Sequence, residues 1–575
     1  MFSKLLDLYN KGNYNELLKY LSAIDKNNTK DCRIENLRGL VNFSIGNRQK
    51  AIHSFEEAIF LQKTYIDPYV NLGKIYLMEK NYKEANKIFL QGLENKFNHP
   101  VLLNHLGIVA ISQKNFELAK QYFQDCIKFN PNDIAAHQNL GNLFYQLQKF
   151  EEAIPYYKEA ITIKPTYEVL KNLGFCYFEI LDIENSNLYL NQAISIKSTA
   201  DLLFQISYNY KIQGNISLSD DYLIKSFKAN SSYSKTIFAL SKSKQFKLLD
   251  INKLKELFDT EKNSIAKSEI GFALFNLLHA KKNYKEAAFF LDEANESIFK
   301  NINILRSDEK KEFNIYKNFF NQFFFDKCKS QTKLNTSPVV FIVGMPRSGS
   351  TLIEQIVSSH SDVKSFGEKN YLFQTICKYY SDLDLDNFAK DLNSTDLNVF
   401  EKIMKEYLLM FKKDENGKAY LTDKMLSNFR FIGFIKAGMP NAKIIYCKRN
   451  PRDNWFSIYS NYFGNEKLPW VYNKKLLVDF YHLQEDLMHH WLSIFEKDIF
   501  VAQYESFVLN LESEAKNLIQ FLDLEWQPQC LEFYKNTNIV QTASSLQVRK
   551  ELYSSSIDQW KNYEDFYKEY FNCLV

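Results

Sequence analysis

The residues best suited to chemistry cluster in PVVFIVGMPRSGST, Pro338 to Thr351. Arg347 is a cation set inside a turn bounded by Gly344 and Gly349, with the hydroxyls of Ser348, Ser350 and Thr351 around it. The run Val339 to Val343 is uncharged, rich in β-branched residues and too short for a buried helix, so it reads as a buried strand. Ser350 to Val357 has the spacing of an amphipathic helix. A strand feeding a glycine-bounded loop that opens a helix aims backbone N–H groups and a helix dipole at one point, which suits a phosphate. The pattern approaches the nucleotide-binding loop GxxxxGK[ST], but Ser350 holds the lysine position and Arg347 supplies the charge instead.

Further candidates follow along the chain. Glu368 lies 21 residues after Arg347, in a turn and short extended piece from His360 to Glu368. Gly417 to Lys424 reads as a turn and strand ending in a lysine. Ala442 to Arg449 reads as a strand ending in an arginine, and Ser457 stands eight residues later in the following helix. Ile499 to Phe507 reads as another buried strand, ending in Tyr504.

With these residues in order, GMPRSGST resembles the 5'-phosphosulfate-binding loop of sulfotransferases that use 3'-phosphoadenosine 5'-phosphosulfate (PAPS), especially the protein-tyrosine sulfotransferase branch. The resemblance implies that Arg347, Ser348, Gly349, Ser350 and Thr351 hold the donor's 5'-phosphosulfate, with Arg347 also offsetting charge on the leaving group. It implies that Glu368 is the general base toward the acceptor hydroxyl and that Lys424 contacts the bridging oxygen of the leaving group. Arg449 and Ser457 match the grip on the 3'-phosphate, and Tyr504 matches a tyrosine near the nucleotide. Ser545 is the matched serine of the closing nucleotide-binding segment. Two positions depart from the family's pattern. Asn461 stands where the family can place a further arginine, and Gln559 where it often has Lys or Arg, leaving Lys561 or Arg549 to compensate.

The first half repeats. Gly39, Gly73, Gly107 and Gly141 are 34 residues apart, and Ala51, Ala85, Ala119 and Ala153 keep the same step. With aromatic residues before the alanines and Pro131 and Pro165 at unit ends, the period matches the tetratricopeptide repeat (TPR). The repeats are clearest over 34–233, with a degenerate unit at 266–298 that has Phe275 where glycine is expected. The expected organisation is an all-α TPR superhelix over 1–300, a helical connector over 301–336, and an α/β P-loop-like domain with a central parallel sheet, the sulfotransferase fold, over 337–575. Asn71, Asn139 and Asn172 stand two residues before repeat glycines, with His105 at the equivalent place. They resemble the asparagine ladder with which some TPR superhelices hold a peptide backbone, although NLG is also common repeat consensus.

Composition narrows the class. A net charge of +4 over 575 residues does not argue for nucleic acid or a membrane surface as partner. There is no uninterrupted run of apolar residues long enough to span a bilayer, and the N-terminus lacks the plain apolar core of a signal peptide. Eight scattered cysteines without a CxxC pair fit reduced thiols and carry no zinc signature, so a cytoplasmic protein without a metal is expected. A TPR array joined to a PAPS-dependent sulfotransferase domain resembles the TPR-containing sulfotransferases, which implies a sulfotransferase with a polypeptide acceptor or partner met by the repeats. A glycan, lipid or small-molecule acceptor, or an inactive scaffold, are the alternatives. A nucleoside-triphosphate kinase is disfavoured by Ser350 and by Lys448-Arg449, where a metal-holding aspartate would be expected.

Overall fold

A computed structural model describes residues 2–25, 31–96, 98–302, 308–328, 339–380, 384–411, 420–464, 468–536 and 557–574. The chain divides into two compact units, Met1–Ser198 and Thr199–Val575. All five tryptophans lie in the second.

The first unit is built of antiparallel helix pairs such as Asp67–Met78 with Tyr82–Asn95 and Pro100–Ser112 with Phe116–Phe129. Each pair turns through a residue in the left-handed region, Lys80 and Lys114 in these two, and the next residue, Asn81 or Asn115, caps the second helix with its side chain. The 34-residue glycines have a single physical reason. A Cβ on Gly39, Gly73 or Gly107 would lie 2.3–2.4 Å from the ring of Phe55, Phe89 or Phe123, on the second helix of the same pair. Tyr157 covers Gly141 and Leu190 covers Gly174 in the same way. The alanines, buried beside these rings, let the two helices meet closely.

The second unit begins with helices Ala200–Ile212, Ile216–Ala229, Ser234–Ser241, Ile251–Thr260, Ser264–Ala280 and Tyr284–Phe299. Phe275 is buried in the fifth of these and packs its ring near Phe456 and Tyr563. That helix therefore places an aromatic side chain against later parts of the same unit where a regular repeat has its glycine. Two helices, Glu309–Phe319 and Gln322–Cys328, occupy much of the expected connector.

Five parallel strands follow: β1 Val339–Gly344, β2 Val363–Ser365, β3 Tyr420–Asp423, β4 Lys443–Lys448 and β5 Ile499–Gln503, in the order β2-β3-β1-β4-β5. In β1 every residue is buried, and alternate side chains enter opposite layers. Val340 and Ile342 pack with Leu352, Ile356, Leu518 and Ile519, whereas Phe341 and Val343 join the larger core with Met404 and Ile435. The chain leaves β1 toward β2 and β3 and then crosses to β4 and β5, so the carboxyl end of β1 is a topological switch point. The strand ending in Tyr504 stops one residue sooner than expected, because Tyr504 already opens helix Tyr504–Leu509. No described helix is long and apolar enough to cross a membrane.

Gly73→Ala is expected to lower stability by about 1–3 kcal/mol, because the added methyl meets the Phe89 ring. Thermal unfolding followed by circular dichroism checks it, and the pair Gly73→Ala with Phe89→Leu should recover part of the loss.

Candidate active site

The loop after β1 is held in a conformation that few side chains tolerate. Gly344 has φ 143°, and a Cβ there would lie 2.5 Å from the carbonyl oxygen of Cys447 on the neighbouring strand. Arg347 adopts φ 63°, a left-handed conformation unusual for a residue with a Cβ. Gly349 has φ 93°, and a Cβ on it would lie 2.5 Å from Cδ2 of Tyr504. The loop is tied from β4 and the following helix Pro451–Tyr459: Arg449 Nη1 donates to the Arg347 carbonyl at 3.1 Å, and Asn454 Nδ2 to the Pro346 carbonyl at 2.9 Å. Helix Ser350–Ser358 then begins, with Ser350 and Thr351 buried in its first turn. Ser348 is buried too, and its hydroxyl has no hydrogen-bond partner among the described residues. A left-handed turn at a helix start with a buried, unsatisfied hydroxyl is suited to receive a tetrahedral anion.

The residues matched to the two ends of the donor meet directly. Arg347 Nε donates to the Ser457 hydroxyl at 3.2 Å. Arg449 lies over the Tyr504 ring, 4.8 Å from its centre, so Tyr504 is held between Arg449 and Gly349. Asn461 is buried and accepts from Lys242 Nζ at 3.1 Å. Lys561 is exposed and paired with Asp558 at 2.8 Å. Ser545 and Arg549 lie outside the described residues.

Beside the loop, the ladder between β2 and β3 continues beyond the strands. Phe366 N donates to the Thr422 carbonyl and Lys424 N to the Gly367 carbonyl, which brings Glu368 to Lys424. Lys424 is 1% exposed, and its Nζ lies 3.2 Å from Glu368 Oε1 and 3.2 Å from Glu354 Oε2. Burial alone would push this ammonium down, but Glu354 and Glu368 together hold it above the usual lysine value. Glu354 is itself buried and accepts from the Ser365 hydroxyl at 2.8 Å, whereas the side chain of Glu368 is 45% exposed. The strand end before Lys424 is pinned by Asp423, which accepts from Tyr407 Oη and from the Met425 amide. Burial pushes the Asp423 carboxyl up to about 6.

Sequence reading passed over Glu354. Its signal was a carboxylate inside a helix otherwise lined by Leu352, Ile353, Ile356 and Val357, all of them buried. The arrangement leaves one exposed carboxylate, one buried ammonium and one anion-receiving loop side by side, a set able to move a proton and stabilise a leaving oxyanion.

In the first unit Asn71, Asn139 and Asn172 donate to Asn36, Asn104 and Asn142 at 2.9–3.0 Å. Each therefore links neighbouring units, and each is partly exposed. His105 is buried, with Nδ1 2.7 Å from the Val101 carbonyl. Among the described residues no group of three or more His, Cys, Asp or Glu is placed to hold a metal ion.

Residues 338–528 match a family described as "Sulfotransferase family", and 101–133 and 134–167 match the tetratricopeptide repeat. An uncharacterized protein of Aquifex aeolicus is 28% identical over 307 residues, covering 52% of this chain and 40% of that protein. A protein-tyrosine sulfotransferase of Drosophila melanogaster is 25% identical over 236 residues, covering 39% of this chain and 47% of the relative. A 3-alpha-hydroxysteroid sulfotransferase of Cavia porcellus is 30% identical over 121 residues, covering 19% of this chain and 39% of the relative. The chain thus spans less than half the length of each of these relatives.

Glu354→Gln leaves the buried ammonium with only the half-exposed Glu368, and a loss of about 3 kcal/mol is expected. Glu368→Gln should cost about 1 kcal/mol or less. Urea unfolding followed by tryptophan fluorescence, which reports the second unit alone, checks the difference.

Proposed function

With a sulfotransferase-family domain over residues 338–528 as the premise, we propose that the protein moves the sulfuryl group of PAPS to an acceptor hydroxyl. The observation that carries this reading is the convergence of Arg347, Ser457 and Arg449 on one loop, beside the Glu368–Lys424 pair. Arg347 and the amides of Ser348 to Thr351 bind the 5'-phosphosulfate, and Arg449 and Ser457 bind the 3'-phosphate. Tyr504 flanks the nucleotide, with Ser545 and Lys561 as its closing contacts. Glu368 takes the acceptor proton as the acceptor oxygen bonds to sulfur. The bond from sulfur to the 5'-phosphate oxygen breaks, and Lys424 with Arg347 stabilises the charge that grows on that oxygen. The products are a sulfated acceptor and 3'-phosphoadenosine 5'-phosphate (PAP). Positioning and electrostatics supply most of the acceleration, as in phosphoryl transfer.

The acceptor is read as a protein tyrosine, recruited by the repeats of residues 1–300 with Asn71, Asn139 and Asn172 along the binding groove and His105 buried behind them, and delivered to the domain of residues 337–575. Kinship to a protein-tyrosine sulfotransferase and the partial exposure of the three asparagines favour it. Kinship to a steroid sulfotransferase favours a small-molecule acceptor as the second reading. The scattered cysteines fit a reducing cytoplasm as the setting.

PAP is expected to raise the melting temperature and ATP to leave it unchanged, because Arg449 and Ser457 read a 3'-phosphate. Glu368→Gln should keep the PAP shift while lowering turnover of PAPS by roughly 10² to 10⁴. Retained turnover would remove Glu368 from its role, and an ATP shift equal to that of PAP would remove the donor.

A further inference from the structure

Three side chains that precede the sheet interact electrostatically with residues of the site or with one another. Helix Ala200–Ile212 carries Tyr208 and Lys211, and Lys242 follows the last residue of helix Ser234–Ser241. Lys242 Nζ donates to Asn461 Oδ1 at 3.1 Å across a sequence separation of 219 residues. Asn461 lies four residues, about one turn, beyond Ser457, whose hydroxyl accepts from Arg347 at 3.2 Å. Lys242 thereby reaches the side of that segment on which Arg347 sits.

The charges around it support the placement. Lys242 is exposed to water. The surrounding protein first, and then the positive charges of Arg347 and Lys211, lower its ammonium from the usual lysine value. Burial likewise lowers Lys211. Burial, and then the charge of Glu368, raise the phenol of Tyr208. The groups in contact with Lys242 are neutral: the Asn461 amide and the Phe238 ring, 4.3 Å away. No carboxylate pairs with it among the described residues. Cations gathered beside one another repel, and an anion arriving among them relieves that repulsion.

We propose that Lys242, with Lys211 beside it, binds a phosphate of the nucleotide donor, so that helices outside the sheet complete the donor site. The assignment rests on the donor reading above. Asn461 can orient a group but cannot neutralise charge, and the ammonium it holds supplies what the amide lacks. The donor site is then shared between the sheet loop and the helices that precede it, both within Thr199–Val575.

The test is equilibrium binding of PAP and of AMP to the full chain and to three variants. Lys242→Met and Lys242→Gln should bind PAP about 10 to 100 times more weakly. Lys242→Arg, which keeps the charge, should retain it. Glutamine can still hydrogen-bond Asn461, so its loss together with the arginine rescue separates charge from structure. Unchanged tryptophan fluorescence in each variant shows that the fold is intact. A loss confined to PAP assigns Lys242 to the 3'-phosphate, and a loss with both nucleotides assigns it to the 5'-phosphate; either supports the proposal. Wild-type PAP affinity in folded Lys242→Met and Lys242→Gln overturns it while leaving the donor reading intact. Absence of PAP binding by the unaltered protein overturns the donor reading and this proposal together.

Discussion

The ammonium of Lys424 cannot be buried without partners. Removing such an ion from water costs several kcal/mol even after relaxation, and the structure offsets that cost with two carboxylates at 3.2 Å. Meeting the requirement fixes three elements at once. Glu354 comes from the helix that follows the anion loop, Glu368 from the extension of β2, and Lys424 from the end of β3. The strand order makes this possible, because β3 lies between β2 and β1 and brings all three carboxyl ends to one edge of the sheet. Asp423, held by Tyr407 and the Met425 amide, keeps the strand end from shifting.

The two carboxylates have different surroundings and so different uses. Glu354 is enclosed and hydrogen-bonded by Ser365, which suits a permanent counter-ion. Glu368 is half open to water, which leaves it able to exchange the ammonium for an incoming hydroxyl. If Glu368 turned away, Lys424 would still be paired and could stay charged in the interior. A single-carboxylate site could not do both. On the other side of β1, Arg347 is bound to Ser457 and its carbonyl to Arg449, so the loop and the β4 end form one hydrogen-bonded group.

Local and periodic features were legible in the sequence. The buried strand before the loop, the helix after it and the 34-residue repeat each express a short-range pattern, and each is present. The repeat glycines were legible as a 34-residue period, but the ring that demands each one lies on the partner helix and appears only in three dimensions. Glu354 was missed because a carboxylate on an apolar helix has meaning only once its lysine, 70 residues away, is known. Lys242 was hidden for the same reason: the sequence showed that position 461 lacked a cation but not which distant residue reached it. Phe275 looked like a flaw in a repeat and is a contact of that helix with the rest of its unit.

The most direct measurement is a crystal structure of the protein with PAP bound. The expected result has the 5'-phosphate on the amides of Ser348 to Thr351 and the 3'-phosphate between Arg449 and Ser457. Arg347 would have left Ser457 for the nucleotide, with Lys424 still paired to Glu354 and turned toward the 5' end. A nucleotide lying in the opposite sense, or seated away from the carboxyl end of β1, would contradict it.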